Sequence, residues 1–191
     1  MANDFGFDAS EKEPYYFISY NSEDAEKAAE YCRLLNNNSV PLWYDGGIPH
    51  DEYWEEIIAE KIDHCNAVIL FYTNAILKKD ESYVIKEFKI ARLYEKKVYC
   101  VLLENINARG ASYKNVRWAL DLKELHTIDA TDQNTEKAVS EIMNAVGLKN
   151  DHETSAAEKA PASAHKKEKK LKAKHSSAVK DKSISLGRVK E

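Results

Sequence analysis

Tyr83 and Glu87 are the pair whose types and spacing could do chemistry. Residues four apart share one face of a helix, which would set an aromatic ring beside a carboxylate. A tyrosine ring can stack on a flat heterocycle. A fixed carboxylate can stabilise positive charge that develops on a bound group. Taken by itself, the run Lys86-Glu87-Phe88-Lys89 instead favours a solvated helix residue. The other reactive types offer less. Six histidines include no HExxH, and His64 beside Cys65 is an isolated pair, so no metal site is expected. Cys32, Cys65 and Cys100 match neither a zinc ribbon nor a CxxC redox pair. Each lies beside apolar residues and reads as a small buried hydrophobe, which suits a reducing cytosol.

The elements that must position these residues are legible as apolar runs. Tyr15–Tyr20 (YYFISY), Ala67–Tyr72 (AVILFY) and Val98–Leu103 (VYCVLL) are continuous and short, as strands buried on both faces of a parallel sheet should be. Val40–Tyr44 and Glu124–Ile128 are weaker strand candidates. Helical spacing fills the gaps. Ala25, Ala28, Ala29, Cys32 and Leu35 follow a start at Asn21 or Ser22, either of which can cap, with Glu23, Asp24 and Glu26 in the first turn. Further stripes are Trp54/Ile57/Ile58/Ile62, Val84/Phe88/Ala91 and Ala138/Ile142/Val146, the last stopped by Gly147. Residues 105–121 read as a loop with one short helix. Strands alternating with helices call for an α/β fold with right-handed crossovers. Five strands favour a flavodoxin-like three-layer αβα domain in the order 2-1-3-4-5, with a crevice at the carboxyl ends of strands 1 and 3. That places a site near Tyr20–Ser22 and the segment after Tyr72.

Charge divides the chain. Of its 28 basic and 32 acidic residues, twelve and six fall in residues 149–191. Residues 1–148 therefore hold 16 and 26, an acidic body before a basic tail. The tail has too few large apolar groups to offset the entropy of ordering and is expected to be disordered, with a weak helix at His165–Lys174. Its lysines are not interleaved with aromatic residues, so nucleic acid is not an expected partner. The first residues, MANDFGFDASEKEP, resemble no secretory leader, and the longest apolar run is far short of the roughly 20 residues that span a bilayer. The expected partition is an N-terminal extension over 1–13, a domain over 14–148 and a tail over 149–191, in a cytoplasmic protein.

Four segments in this order resemble the TIR (Toll/interleukin-1 receptor) domain family. FISYNSED (17–24) resembles its first strand and turn, where the strand ends in a Ser-Tyr pair. LWYDGGIPHDEYWEEIIAEKI (42–62) resembles the second strand, the flexible BB loop and the next helix, although Asp51 and Glu52 stand where a glycine is frequent. CNAVILFYT (65–73) resembles the third strand, and SYVIKEF (82–88) the segment where an aromatic residue precedes a glutamate by four positions.

The resemblance implies an NAD⁺ glycohydrolase, releasing nicotinamide and ADP-ribose or a cyclic isomer, in signalling or defence. It implies Glu87 as the catalytic carboxylate, Tyr83 in the aromatic position, and Tyr20, Asn21 and Asp45 as substrate contacts. Asn21 stands where some members carry a basic residue, and Asp45 could serve only to shape the Gly46-Gly47 turn. NAD⁺ would be substrate, with no resident cofactor. The alternative implication is a non-catalytic adaptor acting by TIR–TIR binding, and self-association is expected under either. Trp43 and Trp54 read as core. A phosphoacceptor receiver domain would need an aspartate ending strand 3, where Tyr72-Thr73 stand. A nucleoside deoxyribosyltransferase is a more distant reading on a similar fold.

Overall fold

The computed structural model describes residues 5–10, 14–46, 53–78, 82–109 and 111–148. The expected basic tail, its weak helix, and residues 47–52 of the loop after Asp45 lie outside them.

Among the described residues, five strands and five α-helices alternate: β1 (Tyr16–Ser19), α1 (Ala25–Asn37), β2 (Leu42–Tyr44), α2 (Trp54–His64), β3 (Ala67–Tyr72), α3 (Tyr83–Leu93), β4 (Val98–Leu102), α4 (Tyr113–Lys123), β5 (His126–Asp129) and α5 (Thr135–Ala145). All strand pairs are parallel, in the order β2-β1-β3-β4-β5. This is the flavodoxin-like α/β arrangement that the alternation of apolar runs and helical stripes implies. Strand side chains alternate between two cores. Tyr16, Ile18, Ile69 and Phe71 meet α1 and α5 on one face. Phe17, Val68, Leu70 and Tyr72 meet α2, α3 and α4 on the other. Both faces of β3 are fully buried, which is why its sequence is apolar without alternation.

The ends of the elements follow from local chemistry. Asn21 accepts a hydrogen bond from the Glu23 N–H at 3.0 Å, starting a 3₁₀ turn (Ser22–Asp24) that feeds α1. Gly147 takes φ 82°, and the Leu148 N–H returns to the Met143 carbonyl, closing α5 with a Schellman turn. Residues 105–121 differ from expectation. Residues 113–121 belong to α4, which is a full eleven residues long and is capped by the Ser112 hydroxyl. Its buried stripe is Trp118, Ala119 and Leu122, but exposed Tyr113 and Leu120 blur that stripe in the sequence.

Residues 5–10 of the N-terminal extension are part of the packing. Phe5 is buried and stacks on Tyr44 with ring centroids 4.3 Å apart. Its carbonyl accepts from Arg33 Nε, and the Phe7 carbonyl accepts from the Tyr44 hydroxyl. The Ser10 N–H donates to the Leu42 carbonyl at 2.7 Å, so this segment occupies the otherwise open edge of β2. Among the described residues, no helix is long and apolar enough to cross a membrane.

Candidate active site

Glu87 lies on the inner face of α3, between Val84 and Phe88 of the core stripe, and is only 6% exposed. A carboxyl so placed needs a partner. The Ser19 hydroxyl, at the carboxyl end of β1, donates to Glu87 Oε2 at 2.5 Å. The register that pairs Ile18 with Tyr44 brings Asp45, the residue after β2, alongside Ser19. Asp45 in turn accepts from Trp54 Nε1 at 3.2 Å, so the first residue of α2 is tied to the end of β2. The Trp54 ring is buried, and Tyr83 stands edge-on to it at 4.6 Å between centroids. Tyr83 is 42% exposed and lies under Lys86, whose ammonium is 5.6 Å from the ring and bridges to Glu55 of α2. Two carboxyl groups, a hydroxyl and two aromatic rings thus converge where β1, β2, α2 and α3 meet.

Burial is the main influence on Glu87. It pushes the carboxyl up to about 8, the charge of Asp45 pushes the same way, and the Ser19 hydrogen bond opposes both. The group is held near the point where it can exist as acid or carboxylate around neutral pH, a property found disproportionately at functional sites.

Of the residues expected at the site, the structure brings together Glu87, Tyr83 and Asp45. It does not bring Tyr20 to them. Strand alternation sends Tyr20 to the opposite face of the sheet, where it packs against the α1/α5 core with its ring 5.2 Å from Phe5. Asn21 is buried at the turn, where its side-chain oxygen caps Glu23. Next to it, in the β1/β3 crevice, the Thr73 hydroxyl donates to the buried Asp24 carboxylate and Lys78 bridges to Glu23 at 3.2 Å. The carboxyl cluster lies one strand over, toward β2. Ser19 and Trp54 join the site, although neither is among the residues expected there from the sequence. The signal for Ser19 was available: in YYFISY it shares the parity of Tyr15 and Phe17 and is the polar member of that face. Trp54 is core and also braces Asp45.

The sequence profile of the TIR domain family matches residues 17–143, from within β1 to within α5. The chain belongs to the TIR domain family. No curated protein sequence matches it at a significant level. Among solved structures, this TIR domain resembles that of a Toll-related receptor from Hydra magnipapillata, at 15% identity and TM-score 0.53, covering 69% of this chain and 96% of that one. It resembles the RPS4 and RRS1 TIR domain heterodimer at 16% identity and TM-score 0.53, covering 70% and 96%. The TIR domains of the activated Roq1 resistosome match at 11% identity and TM-score 0.52, covering 70% and 99%. At such identities the likeness is one of fold.

Within this TIR domain, Ser19 is the group that lowers the Glu87 pKa. Ser19→Ala should therefore raise the midpoint of Glu87 titration further, by about one pH unit for the loss of a hydrogen bond to a charged group. Carbon-detected NMR of the Glu87 carboxyl measures it. A midpoint that stays put or moves down would show that the hydroxyl does not favour the carboxylate.

Proposed function

We propose that this TIR domain cleaves the nicotinamide–ribose bond of NAD⁺, with Glu87 as the catalytic carboxylate. The observation that carries the reading is the buried Glu87 carboxyl held by Ser19, with Asp45 and the Trp54–Tyr83 ring pair beside it. Breaking this bond sends the bonding electron pair to the nicotinamide ring, which leaves neutral and needs no acid. Positive oxocarbenium character then builds on the ribose. An ionised Glu87 stabilises that charge and holds the ribose hydroxyls, while Ser19 fixes the carboxylate's orientation. Tyr83, with part of its ring exposed, offers a surface for a flat heterocycle. Water adds to the ribose and loses a proton, giving ADP-ribose, or an internal nucleophile of the same molecule closes a cyclic isomer. NAD⁺ is substrate throughout, and the site uses no resident cofactor. The three buried thiols of Cys32, Cys65 and Cys100 suit a reducing cytoplasm.

A second reading, TIR–TIR association without chemistry, has support in the relatives whose structures are a heterodimer and a resistosome of TIR domains. The two readings part on one experiment. The purified 191-residue chain is incubated with NAD⁺ over a wide range of protein concentrations, and free nicotinamide is quantified by chromatography. Enzymatic function predicts nicotinamide release, with activity per molecule rising as protomers associate. Association detected by light scattering with no nicotinamide at any concentration would leave the adaptor reading.

A further inference from the structure

A second site lies away from Glu87, beneath α4 at the β4–β5 end of the sheet. There an apolar cavity of about 280 Å³ is lined by Tyr72, Cys100, Leu102, Ile106, Val116 and Leu122, among others, and by none of Ser19, Asp45, Trp54, Tyr83 or Glu87. Tyr72 is 4% exposed, and its hydroxyl is buried with no hydrogen-bond partner among the described residues. Folded proteins rarely leave such a group unsatisfied, and an exception calls for a ligand or an ordered water. Burial pushes this hydroxyl up to about 12, so it remains a donor at any physiological pH. The Thr127 hydroxyl, also on the lining, is directed to the Leu125 carbonyl at 3.3 Å. Buried Cys100 contributes a thiol that burial likewise pushes up to about 12, leaving it a weak donor and a soft apolar wall.

We infer that this cavity is a binding site for a small fused-ring aromatic molecule with one polar edge, which accepts a hydrogen bond from Tyr72. The size argues for two rings, since a cavity of about 150 Å³ takes one benzene. The lining argues for an apolar body, and the unpaired hydroxyl for a single acceptor. The site neither depends on NAD⁺ cleavage nor shares a residue with it.

The probes are 2-naphthol and naphthalene, added to the 191-residue chain labelled at Ile, Leu and Val methyl groups. 2-Naphthol should bind saturably and shift the methyl signals of Leu102, Ile106 and Val116. Tyr72→Phe should weaken 2-naphthol about fivefold, the loss of one hydrogen bond, and leave naphthalene unchanged. Val116→Trp, which fills the space, should weaken both at least about tenfold, the scale of losing a well-filled apolar pocket. If that variant does not fold, the wild-type methyl shifts and the Tyr72→Phe comparison decide. Shifts confined to other methyl groups, no saturable binding, or equal loss of both probes in Tyr72→Phe would overturn the assignment.

Discussion

Glu87→Gln should make the protein more stable at alkaline pH, by on the order of 4 kcal/mol near pH 9 relative to its effect near pH 4. The unfolded chain releases the Glu87 proton near the ordinary value of 4.5, whereas the folded protein keeps it until about 8. Between those values the unfolded state binds fewer protons than the native one. The stability associated with neutral Glu87 is therefore fully present below the unfolded value and drains away as pH rises through the folded one. The slope is roughly 1.4 kcal/mol per pH unit across that window. Glutamine has the same shape, still accepts from Ser19, and has no proton to lose. Any packing difference it introduces is common to every pH and cancels in the comparison. Urea unfolding of both proteins across the range measures the gap. Parallel profiles would mean that the Glu87 carboxyl ionises as an ordinary exposed group does.

The same substitution should lower nicotinamide release about a hundredfold or more at saturating NAD⁺, since loss of one charge-stabilising group costs roughly 3 kcal/mol in the transition state. Because α3 packs through Val84, Phe88 and Ala91 as well, backbone NMR spectra should remain those of a folded domain. Read together, the two effects run in opposite directions. Under the proposed mechanism, rising pH produces the carboxylate that stabilises developing positive charge, and it removes stability from the fold that buries it. Such an exchange of stability for activity is expected where a charged group must work out of water. A Gln variant that is both more stable at high pH and fully active would separate the burial of Glu87 from any catalytic role.

Much of this arrangement is legible in the sequence, for reasons that differ by element. β3 and β4 announce themselves because strands buried on both faces must be apolar throughout. Glu87 is legible through the resemblance of SYVIKEF to the TIR segment, since its own neighbours favour a solvated helix residue; helical spacing adds only that it shares a face with Tyr83. Tyr20 was less legible, because a residue at a strand end can follow the strand's alternation or leave it. It follows it, to the far side from Glu87. Ser19 is marked locally only as the polar member of its strand face; its partner, 68 residues away, is not legible there. Asp45 is a turn residue in the sequence. The parallel pairing of β1 with β2 makes it a neighbour of the buried carboxyl.

In the proposed function, the buried Glu87 carboxyl is what lets this TIR domain cleave NAD⁺. The most direct test of that role is the pH dependence of kcat/KM for nicotinamide release, measured for wild type and Glu87→Gln side by side. That quantity reports ionisations of the free enzyme. Wild type should rise with pH through a midpoint near the raised value of about 8, while Glu87→Gln stays at background throughout. A Glu87→Gln protein that follows the wild-type curve, in height and midpoint, would contradict it.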